Sequence, residues 1–104
     1  MTPELMKECI RVSSHAANHA GHQFTDVKHQ FFLTLALAGE VGELANMMKK
    51  AWRDDAWNLG INMELADIYI YLSLIAHIRG VDLDTQAAEK MKEVAKRPFA
   101  QAVT

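Results

Sequence analysis

From Ile61 to Ile78 the chain is apolar in nearly every direction a helix can present, yet it carries two carboxylates, Glu64 and Asp67. Ile61, Met63, Leu65, Ile68, Ile70, Leu72, Leu74 and Ile75 leave almost no polar face. A helix that is apolar all round has to be buried. A carboxylate buried with it has to be paired or bound to a cation. This one segment therefore demands a shell of other elements around it and something to satisfy two acids. The same acids, with His77, make it a poor membrane span, because a charged side chain at a bilayer centre costs about 2.5–3.5 kcal/mol or more.

The rest of the chain supplies the shell as helices. Apolar residues recur at helical spacing almost everywhere, and no β pattern, repeat, linker or low-complexity run interrupts them. Thr2 as N-cap, with Pro3 and Glu4 in the first turn, predicts a first helix running to about Ala20 and ended by Gly21. A second opens near Thr25 or Asp26 and continues to about Trp52. Gly39 and Gly42 lie inside it, each costing up to ~1 kcal/mol against alanine, which predicts close approach by another backbone or a ligand. Arg53–Gly60 reads as a loop. The third helix starts near Asn62 and ends at Gly80, with His77 and Arg79 in its last turn, where cations suit the helix dipole. The fourth takes Asp84 or Thr85 as N-cap, continues to about Lys96 and is closed by Pro98. Four helices with short connections predict an all-α chain folded as a compact antiparallel four-helix bundle. Its length of 104 residues suits one domain over residues 1–104.

Composition narrows the function classes. Half of the chain is hydrophobic, enough for a core without disulfides, and a surplus in so short a chain is expected at an oligomer interface. A formal charge of -2 and a pI near 6.2 argue against binding a nucleic acid polymer. The single cysteine, Cys9, forms no internal disulfide, has no metal-ligand spacing around it and reads as structural. The N-terminus lacks a signal-peptide pattern, so a soluble, cytoplasmic protein with no membrane partner is expected.

The chemistry gathers in an acidic quartet. Glu40 and Glu43 are spaced i, i+3 and emerge on one face of the second helix. Glu64 and Asp67 repeat that spacing inside the apolar third helix. Two such pairs on neighbouring helices put four carboxylates around one point. Oxygen-only ligands favour a hard cation, Mg²⁺ with Mn²⁺ as substitute, over zinc. No Glu-x-x-His accompanies them, against a di-iron bundle site. The competing arrangement pairs these acids with Lys49, Lys50, Arg53 or Arg79 as ordinary salt bridges.

At these residues the sequence resembles the MazG-like, all-α nucleoside triphosphate pyrophosphohydrolases. Their ExxE, a gap of about twenty residues and then ExxD stands here as Glu40-Val41-Gly42-Glu43 and Glu64-Leu65-Ala66-Asp67. Leu35-Ala36-Leu37-Ala38-Gly39 precedes the first pair, and Leu44-Ala45 and Lys49-Lys50 follow it. Lys90-Met91 and Arg97-Pro98 are similar to the family's closing K-M-x-x-N-x-x-R segment, with Val94 standing where the family often has Asn. The resemblance covers roughly residues 24 to 99. It implies hydrolysis of a (deoxy)nucleoside triphosphate to the monophosphate and pyrophosphate, in nucleotide-pool clean-up or regulation. It also implies a homodimer or homotetramer with nucleotide sites near subunit contacts. Glu40, Glu43, Glu64 and Asp67 would hold Mg²⁺, which neutralises the triphosphate and polarises the phosphoryl group. Glu40 or Glu43 would accept the proton from water. Lys50, Lys90 and Arg97 are candidates for phosphate oxygens. Phe24, ahead of the first acidic pair, and Tyr71, one turn after Asp67, are candidates for the base pocket, with Trp52 and Trp57 as alternatives.

Two features fall outside that resemblance. His15, His19 and His22 are spaced i, i+4 and i+7, and the first two share a helix face able to bind a transition metal or simply face solvent. His29 and His77 belong to no motif and are expected to make structural hydrogen bonds. The rival function is a non-catalytic helical interaction module that keeps the fold, with metal storage a third.

Overall fold

The computed structural model describes residues 1–57 and 59–98. It contains α1 (Pro3–His19), α2 (Val27–Asp54), α3 (Leu59–Ile78) and α4 (Leu83–Val94), and no strand among the described residues. The all-α class follows the spacing, and the differences lie at the helix ends. Thr2 caps α1 as its position predicts, its Oγ1 accepting from Leu5 N at 3.1 Å, a contribution of about 1 kcal/mol. Gly21 follows with φ +84, a left-handed conformation that glycine adopts without steric cost. Asp26 stands at the N-cap of α2 but does not cap it, because its carboxylate accepts from Gln23 N at 2.8 Å instead.

The loop expected over Arg53–Gly60 is shorter than its composition suggested. Arg53 and Asp54 remain in α2, which stops at Asp55 with φ 52, and α3 already begins at Leu59. A fork of hydrogen bonds from the Arg53 guanidinium to Asp54, 2.8 and 2.9 Å, occupies two polar side chains that looked like loop residues. Asn58, within that stretch, and residue 99, at the end of the family resemblance, lie outside the described residues. At the other end of α3 the helix stops at Ile78, before the expected Gly80, whose φ is +66. α4 is capped by Asp82, through Oδ1 and Thr85 N at 3.2 Å, two residues before the earlier of the expected caps. Starting there puts Asp84 in the first turn, where a carboxylate meets the positive end of the helix dipole.

α2 and α3 form the main packed pair, and α1 lies on α3. The core joins one residue from each of these helices, Cys9, Leu33 and Leu74, with Phe24, Ile70 and Tyr71 among the residues packed around them. Leu33 is 1% exposed, a burial that contributes about 1.5–3 kcal/mol. α1 turns Cys9, Ser13 and Ala17 inward at intervals of four, and α2 turns His29 and Leu33 inward at the same interval. α4 has no buried residue.

One chain does not close on itself tightly. Its radius of gyration is 16.9 Å, against about 13 Å for a compact domain of this length. Large apolar side chains stay in the open, among them Leu35 at 74% and Trp52 at 81% exposure. The close approach expected at Gly39 and Gly42 is not made among the described residues: a Cβ at either would meet nothing there within 4 Å. α2 and α3 are each long and apolar enough to cross a membrane by length and composition alone.

Candidate metal centre

α2 and α3 bring three of the four predicted carboxylates together. Glu40, Glu43 and Glu64 each offer an oxygen within 4.8 Å of the others. The i, i+3 spacing puts Glu40 and Glu43 on one face of α2, and Glu64 meets them from the first turns of α3. The three differ in exposure: Glu43 is open to solvent, Glu40 is half-buried, and Glu64 is buried at 8%. Asp67 is not in the converging set. It stands one turn further along α3, exposed, on the rim of a neighbouring cavity.

The acids are not consumed by basic partners. The ion pairs among the described residues are Arg11–Glu8, Arg53–Asp54, Lys90–Glu93 and Lys92–Glu89, and none uses the quartet. Three carboxyl groups therefore crowd one another without a basic partner, with visible consequences. A hydrogen bond that the protonated Glu64 donates to Glu40, burial, and the charges of Glu40, Glu43 and Asp67 together push the Glu64 carboxyl up to about 7. Its Oε1 is buried with no hydrogen-bond partner, which an ordinary structural carboxylate avoids. A divalent cation would satisfy that oxygen and relieve the repulsion at once. The all-oxygen donor set fits a hard ion.

The other predicted residues divide. Tyr71 is half-buried; burial, then the charges of Glu40 and Asp67, raise its phenol above the usual range, which places it in the field of the cluster. Lys50 is exposed on α2, two turns after Glu43. Lys90 is exposed and pairs with Glu93 at 3.6 Å, and Arg97 lies exposed beyond the end of α4; neither lines the cavity or joins the cluster. Phe24 is half-buried and packs against the core, its ring 5.5 Å from that of His29 and 6.5 Å from that of His77. Trp52 and Trp57 are exposed and also absent from the cavity wall.

That cavity, about 410 Å³, runs between α1, α2 and α3. Asp67 and Tyr71 belong to its lining, so it opens beside the acidic cluster; Val12, Phe32, Ile70 and Leu74 make its walls apolar. Ser13 also lines it and belongs to a hydrogen-bonded chain that no sequence motif announces. Ser13 Oγ lies 2.7 Å from His29 Nε2, and His29 Nδ1 lies 3.0 Å from His22 Nε2. His29 is 1% exposed, and burial and then the His22 charge lower its pKa, with Asp26 opposing. His22 thus pairs with His29 and not with His15 or His19, which stay exposed on α1. The sequence did hold a signal: Ser13 sits four residues from Cys9 and His29 four from Leu33, polar residues on otherwise inward-facing stripes.

Residues 27–99 match the family model described as the MazG nucleotide pyrophosphohydrolase domain. No curated protein and no solved structure matches the chain.

Proposed function

We propose, from the premise that this chain belongs to the MazG nucleotide pyrophosphohydrolase family, that it hydrolyses (deoxy)nucleoside triphosphates to monophosphate and pyrophosphate with Mg²⁺. Mn²⁺ is the expected substitute. The observation that carries this reading is the convergence of Glu40, Glu43 and Glu64 around a buried, unpartnered Glu64 oxygen, with no basic residue paired to them among the described residues. Those three would hold the ion, with the Asp67 charge adding to the field. When bound, the ion supplies charge neutralisation for the triphosphate and polarises the phosphoryl group under attack.

The carboxylates then have distinct tasks. Glu40 is engaged with Glu64 through a shared hydrogen bond. Glu43 is the exposed member and the one open to water, so Glu43 accepts the proton as water attacks and the bond between the α- and β-phosphates breaks. Lys50, exposed two turns after Glu43 on the same helix, would meet phosphate oxygens. Lys90 and Arg97 would reach substrate through the partner subunit's site in a homodimer or homotetramer, since α4 buries nothing in its own chain. The exposed Leu35 and Trp52 support such an assembly. Tyr71 lines the nucleoside end, while Phe24, packed against the core, supports it. A soluble cytoplasmic enzyme, acting on free nucleotides and neither on nucleic acid polymers nor at membranes, suits a net charge of -2.

The rival reading, a non-catalytic helical interaction module, leaves the orphaned Glu64 oxygen without a purpose. The test is incubation with a nucleotide panel and Mg²⁺, scoring pyrophosphate. Wild type is expected to release it and Glu43→Gln to lose at least about 100-fold in rate. An inactive wild type, or an unimpaired variant, ends the proposal.

A further inference from the structure

The family match begins at residue 27, so α1 lies outside it. Yet α1 forms a wall of the cavity beside the acidic cluster and gives it a polar group, Ser13. We propose that the Ser13 hydroxyl, oriented by His29 and His22, reads the edge of the nucleotide's base and accepts both amino and keto bases. This rests on the pyrophosphohydrolase reading and names what the cavity adds to it.

Position comes first. Asp67 and Tyr71 line the cavity and also act electrostatically with the cluster, Asp67 on Glu64 and Glu40 on Tyr71. A molecule whose phosphates reach the cluster therefore lays its remaining part into this cavity. The volume of about 410 Å³ falls in the range of small-molecule sites, about 300–1,000 Å³. Val12, Phe32, Leu33, Ile70 and Leu74 offer the apolar surface a flat base needs. Against those walls a single buried hydroxyl is the kind of sparse polar group that fixes orientation.

The hydrogen-bond chain decides what Ser13 recognises. Burial lowers the His29 pKa and so favours the neutral ring, which has one N–H and one acceptor nitrogen. In one arrangement Ser13 O–H donates to His29 Nε2, and His29 Nδ1–H donates to His22 Nε2. The Ser13 oxygen then accepts from an exocyclic amino group. In the other, His22 Nε2–H donates to His29 Nδ1 and His29 Nε2–H donates to Ser13, whose own proton is released to donate to a base carbonyl. The two arrangements carry the same charge and the same number of protons. His22 is only half-buried, so it exchanges protons with water as the chain reverses.

The experiment measures kcat/KM with Mg²⁺ for dCTP, dUTP and 2-deoxyribose 5-triphosphate, which has no base, in wild type, Ser13→Ala and Ser13→Thr. Wild type should use dCTP and dUTP within about tenfold of one another. Ser13→Ala should lower both, relative to the base-free triphosphate, by about tenfold, the worth of one hydrogen bond. Ser13→Thr keeps the hydroxyl and should restore the ratio. Thermal melts and gel filtration accompany each variant. The proposal is overturned if Ser13→Ala changes all three substrates alike or none, or if wild type separates dCTP from dUTP by more than about 100-fold. It is also overturned if Ser13→Ala alters the elution volume with the ratio unchanged, which would mean that a second copy covers the cavity. A wild type inactive on all three, the base-free triphosphate included, instead locates the failure in the pyrophosphohydrolase reading.

Discussion

Binding a divalent cation should drive a proton off the protein, and Glu64 sets how many. Its carboxyl is pushed up to about 7 by the Glu40 hydrogen bond, burial and the neighbouring acids, while a metal ligand must be ionised. A group titrating near 7 is roughly nine-tenths protonated at pH 6 and roughly one-tenth at pH 8. Each cation bound should therefore release about 0.9 proton at pH 6, about 0.5 at pH 7 and about 0.1 at pH 8. The apparent affinity should be about tenfold weaker at pH 6 than at pH 8. Titration calorimetry with MnCl₂, in buffers of different ionisation enthalpy, reads the proton count directly. A heat at pH 6 that does not depend on the buffer would remove Glu64 from the ligand set. The same group has a sign for metal-free stability. Its folded pKa lies above the unfolded value of 4.5, so the folded chain holds the extra proton between those values. Metal-free protein should accordingly gain stability as pH falls from about 8 toward 4.5, and lose that gain as pH rises through about 7.

Glu64→Gln removes the raised carboxyl. Its metal-free melting temperature at pH 8 should rise, and its response to the ion should vanish. Wild type at an ion concentration of 100 times Kd should gain about 2.7 kcal/mol; equal gains in the two proteins would argue that the ion binds elsewhere. Leu33→Ala empties the site of a side chain 1% exposed and should cost about 2–5 kcal/mol in urea unfolding, whereas a cost under about 1 kcal/mol would contradict the core described. Leu35→Lys alters a residue 74% exposed in one chain. Wild type should elute above monomer mass and this variant at smaller mass; unchanged elution would take Leu35 out of the interface. Gly39→Ala has open space in one chain and should stabilise an isolated subunit by about 0.5–1 kcal/mol. Destabilisation in the assembled form would show that another copy packs there.

The helices and the acidic cluster were legible in the sequence because both follow from spacing. Thr2 and Gly21 marked the ends of α1, and the apolar run around Glu64 announced a helix needing cover. Polar composition misled at Arg53 and Asp54, since two side chains that pair with each other satisfy themselves on a helix as well as in a loop. Asp26 and Asp82 show the same limit at the caps. Which carboxylate serves a helix start depends on the turn before it, and one residue type at neighbouring positions does not reveal that.

Sequence alone thus determined that this chain is all-helical, that α2 and α3 each carry an i, i+3 pair of acids, and that one pair sits in an apolar helix. Periodicity is a property of one segment, so one segment suffices to read it. Tertiary structure decided how the quartet divides: Glu40, Glu43 and Glu64 converge, and Asp67 stays at the rim. It also decided that Ser13, His29 and His22, drawn from α1, α2 and the turn between them, form one hydrogen-bonded chain. The relative rotation and crossing of helices are set by how their side chains interlock, which no single helix encodes.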